Sequence, residues 1–143
     1  MKYENYMLLE FPSRSANESF ARSAVACFAA QLDPNLEELG DIRTAVSEAV
    51  TNSIVHAYPN GIGTITIRCR ILKDQTLDII VKDKGVGIAD IDQARQPMFT
   101  TGGSDRSGMG FTIMESFMTA FRVTSVPGKG TTVHMRRKLT KKL

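Results

Sequence analysis

An α+β fold, with helices on one face of a mixed, mostly antiparallel sheet in a two-layer sandwich, follows from three features of this 143-residue sequence. Apolar or small residues recur at helical spacing in two successive stretches before Pro59. The period then switches to strict alternation through residues 64–71. Three further strand-like runs and two helical runs complete the chain.

Taken in order, residues 7–11 (MLLEF) read as a short strand closed by Pro12. Ser15 followed by Glu18 has capping-box spacing, and Phe20, Ala24, Phe28 and Leu32 then mark one side of a helix that Asp33 and Pro34 end. A second helix starts at Asn35 or Leu36, with Leu39, Ile42, Val46, Ala49, Val50 and Ser53 or Ile54 on its apolar side. After Pro59, Asn60 and Gly61, the residues Ile65, Ile67, Cys69 and Ile71 alternate with polar neighbours, as a strand with one buried face requires. Lys73, Asp74 and Gln75 form a turn into a strand over 77–81. Residues 91–95 suit a short helix, 108–117 a longer one, and 121–126 with 131–137 a hairpin around Pro127 and Gly128.

The length fits a single domain, residues 1–143. No apolar run is long enough to cross a bilayer and the first residues do not resemble a secretion signal, so a cytoplasmic protein without membrane association is expected. Five of the 18 basic residues fall in a basic C-terminal tail over 136–143, which leaves residues 1–135 with 13 basic against 15 acidic residues. That balance argues against direct nucleic-acid binding. Cys27 and Cys69 both sit in apolar patterns and are expected as reduced thiols in or near the core.

Four elements can carry chemistry. In SEAVTNSIVHA, residues 47–57, Glu48 and Asn52 are one helical turn apart, with His56 a turn further. A carboxylate can accept a proton and an amide oxygen can ligate a hard cation. In DKGVGI, residues 83–88, Gly85 and Gly87 allow the backbone to approach a ligand, and Asp83 can accept a hydrogen bond from an exocyclic amino group. In RSGMGF, residues 106–111, Gly108 and Gly110 open a helix whose N–H groups suit phosphate, with Arg106 as a neutralising cation. GKGTT, residues 128–132, is a hairpin turn whose Thr131 and Thr132 hydroxyls can face a base. Between the glycine motifs, residues 98–107 have the composition of a lid. Each element alone is compatible with ordinary surface decoration; their joint occurrence is not.

The ordered set E-x-x-x-N, D-x-G-x-G, G-x-G and G-x-G-T resembles the Bergerat-type ATP-binding fold shared by type II topoisomerases, heat-shock ATPases and sensor histidine kinases. The runs VSEAVTNSIVHAY, ARQPMFTT, RSGMGFTIMESFM and PGKGTTV are similar, over nearly the whole chain, to those of the anti-sigma factor serine kinases. The resemblance implies ATP or ADP with Mg2+ as ligands, Glu48 as general base, Asn52 as magnesium ligand and Asp83 as reader of the adenine amino group. It also implies a nucleotide pocket that includes Gly85, Gly87, Thr100, Thr101, Ser107, Gly108, Met109, Gly110, Phe111 and Thr131, with Arg106 reaching the terminal phosphate. The expected partners are a sigma factor of the sigma F type, a small anti-anti-sigma protein with an acceptor serine, and a second copy of the chain in a homodimer, with Arg22 on the surface that meets partner proteins. The lid run GGSD is slightly shorter and richer in glycine than the family pattern. A nucleotide-sensing, sigma-binding module with little kinase activity is the alternative reading.

Overall fold

The computed structural model describes residues 2–91 and 110–140. Because successive side chains on a strand point to opposite faces, strand β2 (Thr64–Leu72) turns Ile65, Ile67, Cys69 and Ile71 to one side, and all four are buried. Its neighbours continue those rows. Cys69 pairs with Met7 of β1 (Tyr3–Pro12) and Ile79 of β3 (Thr76–Asp83), and Ile79 with Met135 of β5 (Gly130–Lys138). Strand β4 (Ala120–Val126) closes the sheet on the far side of β5, giving the order β1-β2-β3-β5-β4 with every ladder antiparallel. Each fully buried Ile or Val on this face contributes about 1.5–3 kcal/mol relative to exposure.

Helices α1 (Ala16–Ala29), α2 (Leu36–Asn52) and α3 (Gly110–Phe117) form the second layer, with α2 in the middle. They bury Ala21, Val25 and Phe28 from α1, Ile42, Val46 and Val50 from α2, and Phe111 and Met114 from α3. Among the described residues no helix covers the opposite face of the sheet. Asp78 lies there with no exposed surface, accepting bonds from Arg136 Nε at 2.8 Å and Arg70 NH2 at 3.2 Å, and pairing with His134 Nε2 at 2.6 Å.

Several expectations need correction. Strand β1 is twice as long as the MLLEF run, because Tyr3 and Tyr6 extend the ladder on the uncovered face, where alternation leaves no sequence signal. Ser15 makes no side-chain cap; Glu18 instead accepts from Ser47 Oγ at 3.0 Å and pairs with Arg22. The capping box forms at the next helix, between Asn35 and Glu38, with both bonds present. Phe28 and Leu32 are buried as expected, but the first half of the stripe falls on Ala21 and Val25, so Phe20 is 54% exposed; Cys27 faces solvent. Cys69 is the core thiol, and burial, aided by nearby Asp78, pushes it up to about 12. Of the expected tail, Arg136, Arg137 and Lys138 belong to β5, with Arg137 paired to Asp41 at 2.7 Å. The short helix over 91–95 and the lid over 98–107 lie outside the described residues, apart from Ile91.

Glu38 also fastens the end of the described chain. Its carboxylate accepts from the backbone N–H of Asn35 (3.0 Å) and from Thr140 through N–H (2.7 Å) and hydroxyl (3.0 Å). Burial acts to raise its pKa, but these bonds and the charge of Arg137 outweigh it and hold the carboxyl below the ordinary value of 4.5. A carboxyl depressed in the folded state stabilises at pH above that ordinary value and loses its contribution as pH falls through the folded pKa. Glu38→Gln should therefore cost about 1–2 kcal/mol at pH 7. The gap to the parent protein, read from urea midpoints, should close in acid below the ordinary value; a gap constant with pH would show that the charge of Glu38 contributes nothing.

Candidate functional site

Helix α2 does not end at Asn52. Its last turn loosens into a π-helical segment, Ser53–Ala57, a form that concentrates at functional sites. Glu48 and Asn52 keep their one-turn spacing, whereas His56 falls in the wider turn and leaves the line they define. The first residue of α3 abuts that pair. A Cβ built on Gly110 would lie 3.1 Å from Asn52 Nδ2 and 3.2 Å from Glu48 Oε2, tighter than ordinary packing. A side chain at 110 would fill the space over the carboxylate and the amide, so the glycine leaves a cradle facing both. The amide oxygen of Asn52, next to the carboxylate of Glu48, is a donor set suited to a hard divalent cation. Phe111, the next residue of α3, is buried against the core beside Phe121.

The other end of the site is built on Asp83, the last residue of β3, which is 5% exposed. Its Oδ1 accepts from Gly85 N–H at 3.0 Å and Thr131 N–H at 3.1 Å, and its Oδ2 from Ser53 Oγ at 3.0 Å. A carboxylate has about four acceptor positions. Three are used here, which fixes the group's orientation and leaves acceptor capacity for one further donor. The Thr131 hydroxyl is 2.8 Å from Ser125 Oγ, which donates to Gly130 O and receives Ile88 N–H, so the turn into β5 is tied to the loop after β3.

Two glycines of that loop are fixed by close approach. A Cβ on Gly85 would collide with the carbonyl of Ala57, and Gly87 has φ of 77° with its Cα facing the Val126 carbonyl. Since Ser53 follows Asn52 directly, one short stretch of α2 spans both ends, with the Glu48 and Asn52 side chains at the α3 end and Ser53 at Asp83. Arg22 is on α1, paired with Glu18 at 3.3 Å, and lines a shallow groove with Gly40, Arg43, Thr44 and Ser47. Thr100, Thr101, Arg106, Ser107, Gly108 and Met109 lie outside the described residues.

Sequence reasoning missed Ser53, Tyr58 and Ser125 as parts of this site. Ser53 was counted only as a small residue on the apolar side of α2. The available signal was a hydroxyl placed on a buried stripe directly after Asn52, because a buried hydroxyl needs a partner. The Tyr58 hydroxyl accepts from Lys84 N–H and donates to Thr64 O, each at 2.7 Å.

Among the described residues no helix is long and apolar enough to cross a membrane, and no cluster of three His, Cys, Asp or Glu side chains could hold a metal. Residues 11–137 match the histidine kinase-like ATPase domain, which implies a capacity to bind ATP and Mg2+. The anti-sigma F factor of Caldanaerobacter subterraneus subsp. tengcongensis is 59% identical over 138 residues, 96% of each chain. That of Geobacillus kaustophilus is 54% identical over 141 residues, 96% of this chain and 94% of the relative. Among solved structures, the RsbU and RsbW domains of a Mycobacterium tuberculosis protein superpose with a TM-score of 0.71 at 17% identity, over 97% of this chain and 34% of that one. A blue-light activated histidine kinase domain from Erythrobacter litoralis gives 0.59 at 22% identity, over 85% and 60%; both are likenesses of fold alone. The antiparallel sheet under its helical layer, the Asp83 pocket and the close match along nearly the whole chain agree: the protein belongs to the anti-sigma F factor family, on a Bergerat-type, histidine kinase-like ATPase fold.

Proposed function

We propose that this protein binds and inhibits a sporulation sigma factor of the sigma F type and uses ATP to phosphorylate a serine on a small anti-anti-sigma protein. The observation that carries the reading is the cradle at Gly110, where a helix amino terminus meets Glu48 and Asn52 while the same stretch of α2 reaches Asp83 through Ser53. Asp83 takes a hydrogen bond from the adenine amino group with its remaining acceptor capacity. Asn52 holds the magnesium ion, which when bound neutralises charge on the phosphate oxygens. Glu48 orients the acceptor serine and takes its proton as the serine oxygen bonds to the terminal phosphorus and ADP departs. Gly85 and Gly87 shape the base end, Phe111 and Thr131 flank the pocket, and Gly108 and Gly110 admit the phosphates. Thr100, Thr101, Ser107 and Met109 complete the nucleotide contacts within and beside the lid over 98–107, and Arg106 stabilises the transferred group. Arg22, with Arg43 in the same groove, meets the partner proteins. The active form is a homodimer in the cytoplasm.

The names of the relatives and the family's ATPase domain support this reading. Mixing the protein with magnesium ATP and its acceptor should add the mass of one phosphate to the acceptor, and a serine-to-alanine acceptor should gain none. Retention of the sigma factor with ATP but no added phosphate would replace the kinase reading by that of a nucleotide-sensing binding module.

A further inference from the structure

We infer that Tyr58 is a positioning residue for nucleotide binding, acting through its hydroxyl on the loop that carries Asp83. This rests on the reading of that pocket as the base end of an ATP site. The loop after β3 presents three successive backbone N–H groups, each with a different acceptor. Lys84 N–H bonds the Tyr58 hydroxyl at 2.7 Å, Gly85 N–H bonds Asp83 Oδ1 at 3.0 Å, and Val86 N–H bonds Ala57 O at 2.9 Å. Two of the three acceptors come from the adjacent residues 57 and 58, so the end of the π-helical segment acts as a template for the loop. The Tyr58 hydroxyl also donates to Thr64 O at 2.7 Å, which ties the loop to the first residue of β2.

The ring is placed as closely as the hydroxyl. A Cβ on Gly63 would collide with its Cε1, so only glycine at 63 admits the ring. The bond to Thr64 O has the usual length for a hydroxyl donor, and the one from Lys84 N–H is at the short end of its range. Their partners, Lys84 N–H and Thr64 O, lie where water can replace the hydroxyl, which separates positioning from stability: removing it costs little folding free energy but lets the backbone on either side of Asp83 wander. A carboxylate whose remaining acceptor position is no longer fixed binds a donor less well, because ordering the loop is then charged to the ligand.

Tyr58→Phe keeps the ring and loses the hydroxyl. Its affinity for ADP, by calorimetric titration, should fall about five- to tenfold, the loss of one net hydrogen bond. In phosphotransfer, KM for ATP should rise by a similar factor with kcat within about twofold, since the base end binds ground and transition states alike. A purely structural role would reduce the active fraction and hence kcat at constant KM. Gly63→Ala, which must push the ring aside, should reproduce the KM effect and serves as the test should the phenylalanine variant not fold. Unchanged ADP affinity in the folded variants, or a fall in kcat at constant KM, overturns the inference and leaves the ATP-site reading standing. Failure of the parent protein to bind ADP overturns both.

Discussion

Glu48→Gln should lower phosphotransfer by about a thousandfold, within the range typical of a lost general base, while ADP binding stays within about twofold. Glutamine keeps the shape of the side chain beside Gly110, where Glu48 Oε2 lies 3.2 Å from the Cβ position, so the cradle is preserved and only proton acceptance is lost. At the other end of the site, Asp83 and its three donors are untouched. The measurement pairs a single-turnover assay with a nucleotide titration. Equal phosphotransfer in both forms would remove Glu48 from the chemistry. Equal loss of binding and turnover would make it a structural group at the α2–α3 junction.

The largest effect on stability is expected at Asp78. Burial alone would raise the pKa of this carboxyl, but bonds from His134, Arg136 and Arg70 and the charge of His134 hold it below its ordinary value of 3.8. It is therefore ionised at neutral pH, with no exposed surface, beneath three cationic or basic side chains that are 18–32% exposed. Asp78→Ala leaves those groups crowded around an uncompensated gap. Removing one partner of a buried ion pair typically costs about 3–5 kcal/mol; because these partners can partly turn to water, about 3 kcal/mol is expected here. For a domain of this size the melting temperature should fall by about 10 °C. Arg136→Ala, which removes a one-third-exposed partner and leaves two others, should cost far less, about 1 kcal/mol or below. Similar losses for the two variants would show that the packing of the strand, and not the cluster, is the stabilising feature. Since the depressed carboxyl contributes at pH above 3.8 and less below, the difference between Asp78→Ala and the parent should narrow in strong acid.

Alternation made the inner face of β2 legible, because water on one side and helices on the other impose a period of two. The same rule gives no sign of Asp78, since a polar side chain turned to the uncovered face carries no signal of burial. Its burial comes from the register that sets Arg70 and Arg136 directly opposite it, and register is a tertiary fact. On the first helix Phe28 and Leu32 keep their expected places, but small Ala21, and not Phe20, takes the buried position in its first half. Glu48, Asn52 and Asp83 stood out through their combined motifs. Ser53, Tyr58 and Ser125 did not, since their task is to hold backbone and carboxylate groups supplied by distant parts of the chain.

The position of β5 beside β3 has a consequence for synthesis on the ribosome. Asp83 and Ser53 emerge early, but Thr131 N–H, the third donor to the carboxylate, is on β5, 48 residues after Asp83. A nascent chain that has released only its first three strands has an open edge at β3 and an unfinished pocket around Asp83. The carboxylate of Asp83 is thus held by all three of its donors only once β5 has left the ribosome.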